Sequence, residues 1–107
     1  MKWYKHLYVG PSLQEKKEKV IRNLRRNVLQ VEVYVIVLAD NGKDNFRIIH
    51  SLELLQKPYP KDELTVVGIA GGKEEAFFLV EDMVKDVLKE TGSVEHISSY
   101  FGAKGGL

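Results

Sequence analysis

The stretch Val31–Ala39, VEVYVIVLA, decides the fold because its residues alternate in the way that a β-strand requires. Turn-forming residues follow at positions 40–45 (DNGKDN), and Phe46–Leu55 alternates again. Together the three segments predict a β-hairpin. The faces of its first strand are Val31, Val33, Val35, Val37 and Ala39 on one side, and Glu32, Tyr34, Ile36 and Leu38 on the other.

Before the hairpin, the sequence predicts a strand and then a helix. Lys2–Val9 alternates, and the residues 10–11 (GP) interrupt it. Ser12 and Glu15 have the spacing of a capping box, so we expect a helix from Ser12 to about Arg26. The first strand should direct Trp3, Leu7 and Val9 toward the core, and Tyr4, His6 and Tyr8 to its other face.

After the hairpin, a loop is expected at Gln56–Glu63, and the apolar run Leu64–Ala70 predicts a central strand. A turn at Gly71 and Gly72 leads into a second long helix, which ends near Gly92. A last short helix is expected over 94–101, with Ser93 as its cap. The apolar stripe of the second helix is Ala76, Phe77, Val80, Met83, Val84, Val87 and Leu88.

The order β-α-β-β-β-α-α predicts an α+β fold, a two-layer sandwich. Its four-stranded mixed or antiparallel sheet should carry both long helices on one face, over the valines of Val31–Ala39. The chain has 107 residues, which suits one domain over 1–101 followed by a flexible C-terminal tail, 102–107.

Composition narrows the classes of function. The chain is 44% hydrophobic and 29% charged, as is usual for a globular domain. It has no cysteine, which excludes disulfides and thiolate metal sites, and we expect no cofactor and no metal. No apolar run approaches the ~18 residues of a membrane span, and we expect a cytoplasmic protein.

The sheet face opposite the predicted helices is the first candidate site. It would carry tyrosines and aliphatic side chains, and monomers rarely leave such a patch in water. We therefore expect a non-enzymatic binding or scaffold domain that self-associates through this open face, as a homodimer. A different protein partner on the same face is the other possibility. The predicted contact residues are Tyr4, His6, Tyr8, Tyr34, Ile36 and Ile49.

The basic first helix is the basis of an alternative, a nucleic-acid-binding module that also uses the aromatics of the open face. Residues 1–30 carry eight Lys or Arg against two Glu, a balance of +6. Lys19, Arg22 and Arg26 point away from the apolar stripe and are the candidate phosphate contacts. The pairs Glu15–Lys19 and Glu18–Arg22 instead favour a solvated face with internal ion pairs.

The turn at Gly68–Lys73 is the basis of a third alternative, a small-anion or nucleotide binder using Gly71, Gly72 and Lys73. Helix N-termini bind anions, but this spacing differs from the phosphate-binding loop, and two glutamates already follow in the first turn. The three histidines have no metal-binding spacing and are expected to be structural. Phe78 points away from the apolar stripe and is a smaller candidate for contact.

Overall fold

The computed structural model describes residues 1–39, 46–56, 60–95 and 97–105. Its strands are β1 (Lys2–Val9), β2 (Tyr34–Leu38), β3 (Phe46–His50) and β4 (Thr65–Ala70), and its helices are α1 (Lys17–Arg25), α2 (Ser51–Leu54), α3 (Lys73–Thr91) and α4 (Ile97–Gly105). Short 3-10 helices lie at Pro11–Lys16 and Lys61–Glu63. The predicted α+β class is confirmed. The predicted turn at 40–45, His96 and residues 106–107 lie outside the described residues.

The strands form one mixed sheet in the order β1-β4-β2-β3. β4 lies between β1, which is parallel to it, and β2, which is antiparallel to it. β2 and β3 are antiparallel, with Ile36 opposite Ile48. The two central strands, β4 and β2, are therefore the most buried ones, as the apolar run predicted for β4.

The helices lie on both faces of the sheet, so the prediction that both long helices cover one face is wrong. One core joins Val20 and Leu24 of α1 to Val35 and Val37 of β2. The other core joins α3 and α4 to the opposite face, where Ile36 of β2 lies. The architecture has three layers: α1, the sheet, and α3 with α4.

The reason for three layers is visible in the central strands. In β2, Val35 and Val37 point to one side and Ile36 to the other, and all three are completely buried. A sheet that is apolar on both faces needs a cover on both faces, because each uncovered face would leave its aliphatic side chains in water. Two long helices on one side would have left the other side bare.

Several element ends differ from the prediction. β2 begins at Tyr34, and β3 ends at His50, where α2 begins. The expected capping box is also wrong, because no side chain caps the 3-10 helix at its start and the Ser12 hydroxyl donates to Glu75 instead. α4 runs to Gly105, four residues beyond the predicted end at 101.

The end of α3 matches its prediction. Gly92 has a φ of 76°, in the left-handed region, and its N–H donates to the carbonyl of Leu88 at 2.8 Å. None of the helices in the described parts of the chain is long and apolar enough to cross a membrane.

Candidate association surface

The sheet face that carries the tyrosines is largely covered by α3 and α4, so the prediction that it is open is wrong. Tyr4 is only 6% exposed and Ile36 0%, both within the core of α3 and α4. Ile49, 1% exposed, belongs to the core on the α1 side. Of the other predicted contact residues, Tyr8 and Tyr34 are half-buried and His6 is exposed.

Phe101 of α4 closes this face. Its ring is fully buried and makes edge-to-face contacts with four aromatic rings. The ring centroids lie 4.8 Å from Tyr4, 6.3 Å from Tyr8, 5.7 Å from Phe46 and 5.3 Å from Tyr100. Because Tyr4 lies on β1 and Phe46 on β3, Phe101 connects the two edge strands of the sheet.

Two tyrosine hydroxyls connect this face to α3. Tyr8 donates a hydrogen bond to the Asp86 carboxylate. Burial, then this hydrogen bond, raises the pKa of Tyr8 far above its ordinary value. Burial, followed by the charge and hydrogen bond of Glu90, raises the pKa of Tyr100 to about 12. Both hydroxyls stay protonated at neutral pH and act as donors that fasten β1 and α4 to α3.

The cover is incomplete over β2 and β3. Tyr34 and Leu38 at the ends of β2 are half-buried, as are Phe46, Ile48 and His50 of β3. The register places Leu38 beside Phe46 and Tyr34 beside His50, so these side chains form one continuous strip on the α3 side. We call these side chains the apolar strip; it comprises Tyr34, Leu38, Phe46, Ile48 and His50 and borders the outer edge of β3.

The outer edge of β3 is open within the described part of the chain. β3 pairs with β2 on one side and ends the strand order on the other. Its sequence, FRIIH, contains a single cationic residue, Arg47, and no proline. An edge strand of this composition lacks the lysines, prolines and bulges that usually prevent pairing with a further strand.

The opposite edge, β1, is protected by comparison. Lys2, Lys5 and His6 are exposed along it. The pairing with β4 is irregular between Trp3 and Tyr8, which bends the strand away from an ideal template. The two edges of the sheet therefore differ, and β3 is the one suited to accept another strand.

His50 fixes the end of β3. Its Nδ1 accepts a hydrogen bond from the Leu52 N–H at 3.1 Å, which caps α2. Its Nε2 therefore carries the proton and donates to the carbonyl of Val31. This contact agrees with the predicted structural role of His50. The two residues whose backbone groups His50 contacts have exposed side chains: Val31 is 63% exposed and Leu52 40%.

The turn between β4 and α3 carries its own anion. Glu75 accepts hydrogen bonds from the Gly71 N–H and from the Ser12 hydroxyl, both at 2.9 Å on Oε1. A Cβ at Gly10 would lie 1.7 Å from the same oxygen, so the carboxylate fills the space beside that glycine. An external anion at Gly71, Gly72 and Lys73 would have to displace it, and that site stays a prediction.

α1 presents cations without the expected internal pairs. Lys19, Arg22 and Arg26 are exposed, as predicted. Within the described ranges, the ion pairs within 4.0 Å include Lys85–Glu81 and the amino terminus with Asp62, and none of them involves Glu15 or Glu18. The pairs that the sequence suggested for Glu15 and Glu18 are therefore not formed.

The sequence signals for Glu75 and Phe101 were present but ambiguous. An acidic residue in the first turn of a helix suits the helix dipole, yet its bond to Gly71 depends on where the chain returns.

Phe78, 57% exposed, does point away from the core. No group of His, Asp or Glu within the described ranges has the geometry to hold a metal ion.

No protein-family model, no curated protein and no solved structure matches this chain.

Proposed function

We propose that this protein is a non-enzymatic binding domain that forms homodimers by antiparallel pairing of β3 with β3 of a second copy. The observation that carries the proposal is the open outer edge of β3 beside a half-covered apolar strip. The tyrosine face that the sequence predicts as the contact is not used, because Tyr4 and Ile36 lie beneath α3 and α4. Tyr34 is the predicted contact residue that remains on the proposed surface.

A second copy fits this edge because a two-fold axis can pair identical antiparallel strands. In a register centred on Ile48, that residue faces Ile48 of the second copy. Arg47 then faces an isoleucine, and His50 faces a phenylalanine, so no like charges are opposed. The edge N–H and C=O groups that now face water would be satisfied by the second strand.

The apolar strip adds to the pairing. A strand beside β3 supplies cross-strand neighbours for Phe46 and Ile48, whose side chains are only half-buried in one copy. Burial of such surface contributes about 25 cal/mol per Å² before the costs of association. Backbone pairing therefore fixes the antiparallel orientation of the two copies, and burial of the strip provides much of the free energy of association.

The non-enzymatic part of the proposal is supported by the structural hydrogen bonds that the titratable side chains make. His50 caps α2, and Glu75 closes the β4–α3 turn. Lys61 Nζ donates to the carbonyl of Leu24 at 2.7 Å and to the side chain of Asn27, which caps the end of α1. Each of these groups stabilises the fold, which accounts for its contacts without a reaction.

Sedimentation equilibrium tests the proposal through the mass in solution. The wild-type protein should move with concentration from 12.2 kDa to twice that mass. Replacing Ile48 with lysine, Ile48→Lys, should keep the protein monomeric, because a charge in the middle of an edge strand opposes pairing. Circular dichroism establishes that the variant is folded.

Phe78→Lys is the control for adding a lysine at an apolar surface position, since Phe78 is 57% exposed and lies on α3, away from β3. It should dimerise like the wild type. A wild-type protein that stays at 12.2 kDa up to millimolar concentration contradicts the proposal. So does a folded Ile48→Lys variant with unchanged association.

A further inference from the structure

A short row of exposed cations lies along the outward side of α1 and its C-cap; we call it the basic face, and it comprises Lys19, Arg22 and Arg26. All three side chains are exposed, and none has an ion pair within 4.0 Å among the described residues. The acidic residues of the same segment, Glu15 and Glu18, precede them in the chain. From Lys19 to the end of α1 the helix contains no acidic residue.

The basic face is held rigidly. Val20 and Leu24 on the inner side of α1 are 4% and 3% exposed and belong to the core. At the end of the helix, Lys61 Nζ bonds to the carbonyl of Leu24 and to Asn27. The backbone that carries the cations is therefore fixed before any ligand binds, which reduces the entropy cost of binding.

Charge is separated between the two outer layers of the molecule. The exposed part of α3, on the opposite side of the sheet, includes Glu74, Glu81 and Asp82. Residues 11–26, on the α1 side of the sheet, carry six Lys or Arg against two Glu, a net charge of +4, although the whole chain has only +1. The α1 layer therefore attracts polyanions, while the α3 layer repels them.

We propose that the basic face binds the phosphate backbone of nucleic acid without sequence preference. From Lys19 to Arg26, the C-cap of α1, the backbone rises about 10 Å, over which one strand of a B-form duplex carries about three phosphates. A membrane surface is the weaker match, because α1 keeps its apolar side in the core and has none left to enter a bilayer.

This inference does not rest on the proposed homodimer. If the dimer forms, the two-fold axis stands perpendicular to the sheet, so both α1 helices lie on the same face and the basic surface is doubled. The monomeric Ile48→Lys variant should then bind more weakly but with the same response to Arg22 and Arg26. Failure of one proposal is thus distinguishable from failure of the other.

Fluorescence anisotropy with a labelled DNA duplex, measured over a salt series, tests the inference. Three phosphate contacts predict a slope of log K against log[salt] of about −2.7, which is about a 40-fold loss of affinity from about 50 to about 200 mM salt. Replacing Arg22 and Arg26 together, Arg22→Gln with Arg26→Gln, should reduce the slope to about −0.9.

The matched control replaces two exposed lysines of α3, Lys85→Gln with Lys89→Gln, and so changes the net charge equally. It should leave the slope near that of the wild type. An unchanged slope in the α1 variant, or no binding of the duplex at low salt, overturns the inference. Binding to phosphatidylserine vesicles without binding to DNA also overturns it, in favour of a membrane surface.

Discussion

Glu75 is the residue whose local role depends most on its surroundings. Its carboxylate accepts from the Gly71 N–H and from the Ser12 hydroxyl, and thereby joins the start of α3 to the segment after β1. Glu75→Ala leaves the partly buried Gly71 N–H without this acceptor, so we expect a loss of about 1–3 kcal/mol in the free energy of unfolding.

Glu74→Ala is the control for Glu75, because Glu74 lies in the same helical turn but is exposed. It loses only the favourable interaction with the helix dipole, about 0.3–1 kcal/mol. Urea unfolding of both variants measures the difference. Equal losses would show that the Glu75 hydrogen bonds contribute nothing beyond the dipole.

Tyr8 and Tyr100 make stability sensitive to alkaline pH. The pKa of each hydroxyl is raised on folding, for Tyr100 to about 12, so the folded state favours the protonated form. The corresponding stabilisation is complete below the ordinary tyrosine value of 10.0 and is lost as the pH rises toward the folded-state values. The thermal midpoint should therefore fall above about pH 10.

The doubly substituted variant, Tyr8→Phe with Tyr100→Phe, isolates this effect. It should be less stable than the wild type near neutral pH, because the bonds to Asp86 and Glu90 are missing. Its thermal midpoint should fall less than that of the wild type between about pH 9 and about pH 11. An equally steep fall in both proteins would contradict the assignment.

At the scale of elements, α4 depends on one side chain. Phe101 is fully buried and contacts rings from both edge strands. Phe101→Ala should cost about 3–5 kcal/mol, as is typical of a large aromatic residue removed from a core. Chemical unfolding measures it against Phe78→Ala, whose side chain is exposed and should cost less than about 0.5 kcal/mol. Similar costs would mean that α4 is not anchored by Phe101.

The elements themselves were largely predictable from local patterns. The alternation in β1 and β2 and the 3.6-residue period of α3 are properties of adjacent residues, and so is the left-handed glycine at Gly92. The side of the sheet on which each helix packs is not local. It depends on chain connections, and the only sequence signal for a second layer was that the second face also carries large apolar residues such as Ile36 and Tyr4, which the structure shows to be buried.

The candidate site was less predictable for the same reason. Tyr34 lies on a partly uncovered surface, whereas Tyr4 and Ile49, which were predicted beside it, are buried. Strand order decides which residues lie at an edge, and alternation within one strand contains no information about that order. The open edge of β3 follows only from the sheet order β1-β4-β2-β3.

At the scale of the whole molecule, the sheet has two unequal edges between two differently charged layers. β1 is protected by Lys2, Lys5 and an irregular pairing, whereas β3 is not. A dimer through β3 would leave both layers exposed, with the α1 helices on one side and the α3 helices on the other. Self-association and nucleic-acid binding would then use separate surfaces of the same protein.

Amide hydrogen exchange measured as a function of protein concentration tests the β3 pairing most directly. The alternate β3 amides that point away from β2 should exchange rapidly in dilute solution. Their protection should rise as the dimer fills, while the exposed α1 surface stays unchanged. Exchange of these β3 amides that is independent of concentration, or protection that rises at another surface instead, would contradict the account.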